Sequence, residues 1–323
     1  MPKIKLFMVE HLVWFIAIIG YMVFMLVIPE IFLSLTAIDF VIRSVASVGI
    51  VALATAICLI AGSIDVSVPA IAGFAGVFIT LFASKWFPGT PDIILIFLAL
   101  FIGGLLGAFN GYLVKKIKIH SFLITLATYI VFIGARKLLY EGAERMPSKL
   151  INLIGGGQII SGLSYSSVIM ILLIPILWVF LNRTILGMRI YAVGGNPRAS
   201  ALMGVNVDGV RLRAHIIAGI LAGLSGLLYV GYNMATTPAM LDFNVFDAFA
   251  MAIFGGIALE GGRGRVGDVF AAIFFLSTLS LGMDIVRMNV YLRQTVVGSF
   301  ILIGIILNML KEKIRARILM QLA

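Results

Sequence analysis

The sequence predicts an all-α polytopic membrane protein, a single transmembrane domain over residues 1–323 with about ten spanning helices. Three observations predict it. First, 62% of the residues are hydrophobic and only 12% are charged, about half the charge of a soluble domain. Second, ten apolar segments of near-span length follow one another along the chain. Third, the 34 glycines include Gly-x-x-x-Gly spacings such as Gly219-Ile220-Leu221-Ala222-Gly223, which suit close helix packing in lipid.

The predicted spans lie near residues 11–28, 40–61, 66–84, 92–113, 121–140, 167–182, 213–232, 246–260, 266–282 and 293–310. A straight span needs roughly twenty residues, and the eighth fits that length least well. Lys3 and Lys5 precede an apolar segment without a small-residue cleavage site, so it reads as a retained first span.

An even count puts both termini on one side. That side holds Lys3, Lys5, Lys115, Lys116, Lys118, Arg183, Arg189, Arg198, Arg211, Arg213, Arg263, Arg265, Lys311, Lys313, Arg315 and Arg317. The other holds Arg43, Lys85, Arg136, Lys137, Arg145, Lys149, Arg287 and Arg293. The two-to-one bias makes the first side cytoplasmic by the positive-inside rule. The net charge of +10 is thus spread between apolar segments, which speaks against a nucleic-acid partner. Cys58 is the single cysteine, and His11, His120 and His215 are scattered, so no metal cluster is expected.

Between spans six and seven the apolar pattern stops. Five arginines, from Arg183 to Arg213, face a single acid, Asp208. Within this stretch Asn196 suits a helix cap, Pro197 the first helical position and Gly204 the stop. A helix of about two turns follows, formed by Pro197, Arg198, Ala199, Ser200, Ala201, Leu202 and Met203. It is too short to span, and it suits a partner's groove on the aqueous side; an ordinary polar loop with a turn of helix fits the spacing equally. Residues 141–166 form the longest external segment, read either as a connecting loop or as a receiving surface for a delivery protein.

Two further junctions interrupt the spans. One is Gly62-Ser63-Ile64-Asp65-Val66-Ser67-Val68-Pro69 and the other is the glycine-rich run at residues 255–267. Tight surface reversals account for both, as does irregular backbone buried in protein. Asp65, flanked by serine and glycine, reads as a structural acid. Asp247 is open between structural and functional roles. Asn110, Thr125, Tyr129 and Asn233 either line a polar path or make helix-to-helix hydrogen bonds. Phe122 and Tyr129 either stack on a ring-shaped solute or pack. There is no Ser-His-Asp triad, paired-carboxylate site or metal-ligand helix in the pattern.

Taken together and in order, these motifs make the chain resemble the permease subunits of bacterial ABC importers of the ribose and simple-sugar type, within the branched-chain amino-acid permease superfamily. The family's Gly-Gly-Ile-Asp-Leu-Ser-Val-Gly is matched by residues 62–69 and its Asn-Gly pair by Asn110-Gly111. Its Pro-Phe-Ile-Val-Thr-Leu-Gly is matched by Ser121-Phe122-Leu123-Ile124-Thr125-Leu126-Ala127. Residues 184–207 carry Gly187-Met188-Arg189-Ile190-Tyr191-Ala192-Val193-Gly194-Gly195-Asn196 and then Met203-Gly204-Val205-Asn206-Val207. Gly255-Gly256 and Gly261-Gly262-Arg263-Gly264 complete the series. Ser63, Pro69, Ser121 and the run Val245-Phe246-Asp247-Ala248 depart from the pattern and leave the solute open.

The resemblance implies a multi-pass protein of the bacterial inner membrane that pairs with a second permease copy or paralogue. It implies two cytoplasmic ATPase domains, a periplasmic or lipid-anchored solute-binding protein, and a coupling helix at residues 196–204. It places the cofactors, ATP and Mg, on the partner subunits; this chain has no Gly-x-x-x-x-Gly-Lys-Ser/Thr loop to grip phosphates. Transport rather than catalysis is the expected role. An ion-gradient-driven secondary transporter is the alternative, and a membrane-embedded enzyme the third reading.

Overall fold

The computed structural model describes residue 8, residues 11–140 and residues 142–322. Lys3 and Lys5, and the side chains of Lys311, Lys313, Arg315 and Arg317, which the charge bias uses, lie outside what is described. The described residues are mainly helical. Its elements run α1 (Leu12–Val27), α2 (Pro29–Phe32), α3 (Leu35–Ile60), α4 (Val68–Leu81), a π turn (Phe82–Trp86), α5 (Asp92–Ile117), α6 (Ser121–Leu139) and α7 (Lys149–Gly156). A small antiparallel hairpin follows, β1 (Gln158–Ile160) and β2 (Leu163–Ser164). Then come α8 (Tyr165–Arg183), α9 (Ile185–Gly195), α10 (Pro197–Leu202), α11 (Val207–Asn233), a 3-10 turn (Asp242–Asn244), α12 (Val245–Phe254), α13 (Val266–Ile285) and α14 (Val290–Leu322).

Among the described residues, seven helices are long and apolar enough to cross a membrane: α3, α4 with its π turn, α5, α6, α8, α11 and α13. They fall on the second to seventh and the ninth predicted spans. The first predicted span is a helix of 16 residues, and the tenth lies within α14.

The eighth predicted span is corrected. α12 has only ten residues, a rise of about 15 Å, which is half a hydrocarbon core. Gly255 and Gly256, the latter at φ +82°, turn the chain out of the helix. Residues 257–265 then run without regular structure to α13. The segment is a short helix plus a glycine turn, packed on α3, α13 and α14. The seventh span also starts earlier than predicted, at Val207, because Asn206 caps it through the Gly209 N–H.

α11 is the hub, packed against α5, α3, α4 and α7. Its contact with α5 is backbone on backbone. A β-carbon on Gly103 or Gly107 would overlap a carbonyl oxygen of α11, and one on Gly219 or Gly223 would overlap an α5 carbonyl. The paired Gly-x-x-x-Gly spacings thus bring the two helices close enough for long runs of dispersion contact, which drives helix association in lipid. At the other end of α11, Gly231 packs on Gly155 of α7 in the same way. The outward side of α5 carries exposed Phe97, Phe101, Leu105 and Phe109, an apolar surface suited to lipid.

Candidate functional site

The short helix forms where the caps require it. Asn196 Oδ1 accepts the Ala199 N–H at 2.9 Å, and Pro197 occupies the first helical position. At the far end Gly204 N donates to Ala201 O and Val205 N to Ser200 O, each at 3.0 Å. Gly204 takes φ +79°, so this is a Schellman stop with glycine in the left-handed position. Six residues are helical, from Pro197 to Leu202. Leu202 and Met203 are 88% and 84% exposed.

Immediately before the helix the chain enters a glycine junction. Gly194 lies against Ile60 O at the end of α3, with no room for a β-carbon. Gly262 N donates to that same carbonyl at 2.8 Å. Gly261 and Gly62, at φ +93° and +67°, pack backbone to backbone beside them. Tyr191 Oη donates to Gly264 O at 2.9 Å, and Arg211 Nε reaches Ala61 O at 3.4 Å. Three motifs far apart in sequence, at residues 62–69, 187–196 and 255–264, therefore meet at one place, two residues before the short helix.

Beyond Gly62 the α3–α4 connection turns inward into a buried polar network. Asp65, 1% exposed, accepts at Oδ1 from Ser67 N at 2.9 Å and Ser67 Oγ at 2.6 Å. Its Oδ2 lies 2.7 Å from Nδ1 of His215, which is fully buried on α11. His215 Nε2 is 2.9 Å from Ser63 Oγ, and Cys58 Sγ is 3.9 Å from Nδ1. Asn110 Nδ2 donates to Ser67 Oγ at 2.5 Å, while Asn110 Oδ1 has no hydrogen-bond partner among the described residues. Thr125 Oγ1 accepts from Val66 N at 3.3 Å and sits 3.2 Å from Ile64 O.

The predicted polar residues divide accordingly. Asn110 and Thr125 are drawn together on this loop. Phe122, on the same helix as Thr125, is 38% exposed. Tyr129 belongs to a second cluster, where its Oη donates to Asp242 O at 2.6 Å. There Arg136, 1% exposed, forms a fork onto Asp242 at 2.8 and 2.7 Å and also donates to Met240 O and Pro238 O. Arg136 is therefore an interior cation and does not belong in the loop-charge count. Asp247, half-buried, accepts from Asn244 Nδ2 at 2.9 Å beside a cavity of about 200 Å³ that Ser44, Ser280 and Arg293 also line. Asn233 is not brought to any of these groups: it is exposed at the end of α11, bonded to Tyr229 O.

Sequence reasoning missed Ser63, Cys58, His215, Arg136 and Asp242. His215 and Arg136 carried a usable signal, since an ionisable side chain inside an apolar span needs a buried partner. Their partners lie 150 and 106 positions away, beyond any local pattern.

The chain matches the family described as "Branched-chain amino acid transport system / permease component" over residues 37–307. It is 28% identical to a fructose import permease protein of Rhizobium meliloti over 88% of this chain and 81% of that one. It is 30% identical to a ribose import permease protein of Bacillus subtilis over 84% of each chain. It is 28% identical to a D-allose transport system permease protein of Escherichia coli over 88% of this chain and 87% of that one. No solved structure matches significantly. With the family matched across most of its length, and its motifs converging on one junction, the chain belongs to the branched-chain amino acid transport system permease component family.

Proposed function

We propose that the chain is the membrane-spanning subunit of an ATP-binding-cassette importer that moves a sugar or sugar-like solute across the bacterial inner membrane. The observation that carries this reading is the short helix α10, capped at both ends, exposing Leu202 and Met203, and joined through Gly194 to the α3–α4 connection. Relatives named as fructose, ribose and allose permeases support the solute class.

In this reading residues 196–204 couple to two cytoplasmic ATPase domains, which hold ATP and Mg. Their motion reaches the glycine junction and alternately opens the spans to each side. Asn110, Phe122, Thr125, Tyr129 and Asp247 are the candidates along the solute path, with a second permease copy or paralogue completing it. A periplasmic or lipid-anchored binding protein delivers the solute, and both termini are cytoplasmic, because residues 234–262 still run from the Met146 face, where Met146 N donates to Met234 O, to the Ile60 face, where Gly262 N donates to Ile60 O. The rival, an ion-gradient-driven secondary transporter, has the buried Asp65–His215 pair in its favour.

Proteoliposome uptake separates the two. Solute should accumulate only when the ATPase partners and ATP are present, and loaded binding protein should raise ATP turnover. Concentrative uptake by this chain alone, driven by a proton or sodium gradient and indifferent to ATP, would overturn the importer reading.

A further inference from the structure

Arg211 stands near the start of α11, half-buried at the end of the bundle where α10 lies. Its Nε reaches Ala61 O at 3.4 Å. Among the described residues, the N–H groups at the two tips of its fork have no hydrogen-bond partner. A guanidinium keeps its charge at any physiological pH, and its fork is built to hold acceptors at those tips. Asp208, one turn earlier on the same helix, offsets part of that charge.

Arg211 lines a cavity of about 510 Å³, and the other polar groups on the wall are mostly donors. Lys118, exposed in the turn between α5 and α6, brings an ammonium that makes no hydrogen bond or ion pair among the described residues. His120 follows in the same turn. Its Nδ1 accepts the Phe122 N–H at 3.3 Å, so a neutral ring carries its proton at Nε2 and donates there. Ser121 Oγ accepts the Ile64 N–H at 2.9 Å, which leaves its own O–H to donate. Among the described residues Asp208 is the one acid on the wall, against the two cations.

A basic turn between two spans is ordinarily a solvated feature that orients the chain. Here one cation is instead drawn into the wall of a cavity with its fork unsatisfied. The donors also arrive from separate segments: α11, the α5–α6 turn and the first residue of α6. That spread selects the ligand. A carboxylate offers two oxygens in one plane. A phosphate offers three in different directions and pairs with an arginine fork through two parallel bonds. The volume falls in the range of small-molecule sites, about 300–1,000 Å³.

We propose that Arg211, Lys118, His120 and Ser121 form a binding site for a phosphate group, carried by a lipid headgroup or by a soluble phosphomonoester. Basic pockets between spans hold phospholipid headgroups by this chemistry. The residues assigned to the solute path do not line the cavity, and the site does not depend on what powers the chain. It does touch the glycine junction. The side chain that holds the phosphate also reaches Ala61 O, and Gly62 lies on the cavity wall.

The test uses the full chain in two arms. In dodecyl maltoside, a detergent without phosphate, inorganic phosphate and glycerol 3-phosphate are titrated by calorimetry. Saturable binding that chloride at equal ionic strength does not displace assigns a soluble phosphate. In the second arm the chain is purified from vesicles of mixed phosphatidylglycerol and phosphatidylcholine, and the retained lipid is read by native mass spectrometry. Enrichment of phosphatidylglycerol assigns a lipid headgroup. Lys118→Gln and Arg211→Gln should each lower the affinity, or the enrichment, roughly tenfold, because each removes charge-assisted hydrogen bonds. Arg211→Lys should recover part of the loss, since it restores the charge without the fork. Lys118 is exposed, so Lys118→Gln should keep the parent's thermal midpoint even where Arg211→Gln disturbs the junction. Parent-like binding by Lys118→Gln would overturn the proposal, and so would the absence of both saturable phosphate binding and phosphatidylglycerol enrichment.

Discussion

Gly194 presses on the carbonyl oxygen of Ile60, and the same oxygen accepts the N–H of Gly262. One backbone atom at the end of α3 thus fixes both the helix that leads into α10 and the turn that leads into α13. Only Gly195 and Asn196 separate Gly194 from α10.

This contact predicts a contrast between adjacent glycines. Gly194→Ala forces α9 off α3, because the added methyl overlaps backbone that cannot rotate away. Overpacking of this kind costs about 1–3 kcal/mol. Gly195→Ala meets its nearest atom, the Gly262 Cα, at 3.9 Å, an ordinary contact. The first variant should lower the thermal midpoint in detergent and impair uptake; the second should do neither. Equal behaviour of the pair would remove the junction from the coupling path.

The short helix predicts a separation of insertion from transport. Ala199→Pro with Ala201→Pro removes the N–H that Asn196 caps and places proline inside a six-residue helix. The interior proline at 201 costs about 3 kcal/mol, and loss of the cap bond at 199 about 1 kcal/mol more. α10 is exposed and lies outside the packed spans, so membrane levels should hold while uptake falls to background. Uptake at the normal rate by the inserted double variant would refute the coupling role.

These two sites differ in how far the sequence revealed them. The caps of α10 are local: Asn196, Pro197 and Gly204 act within nine positions, so they could be read directly. The long apolar spans were equally plain, because length and hydropathy suffice. The eighth span misled, since apolar residues 246–260 satisfy a hydropathy pattern while Gly255 and Gly256 end the helix after ten residues. The network at Asp65 was hidden for another reason. Serine and glycine beside it suggested a structural acid, and Ser67 does donate to it locally, but His215 arrives from α11 only where Gly107 and Gly111 let the helices close.

The interior ion pair predicts an asymmetric response to conservative change. Arg136 supplies donors to both Asp242 carboxylate oxygens and to two backbone carbonyls. Lysine carries the same charge but lacks the planar fork. Arg136→Lys should therefore leave acceptors unmet and destabilise the chain, and Arg136→Ala should cost about 3–5 kcal/mol by stranding a buried carboxylate. Thermal unfolding in detergent measures both. A lysine variant as stable as the parent would show that charge alone, without the fork, holds residues 238–242.

Topology gives a prediction that depends on one helix. Between Lys149 and Leu202 the only helix long enough to cross is α8, with 19 residues. α9, with 11 residues, rises about 16 Å and cannot cross alone. The two positions must therefore face opposite sides of the membrane, and the basic loops assign Leu202 to the cytoplasm. Cys58 is fully buried, so cysteines placed at the exposed positions Lys149 and Leu202 can be labelled without removing it. A membrane-impermeant maleimide on intact cells should label Lys149→Cys and spare Leu202→Cys. After permeabilisation both should react. Labelling of both before permeabilisation would put α8 on one side of the membrane and break the arrangement; the reverse pattern would keep α8 as a span but turn the whole protein over, placing α10 where no ATPase can reach it.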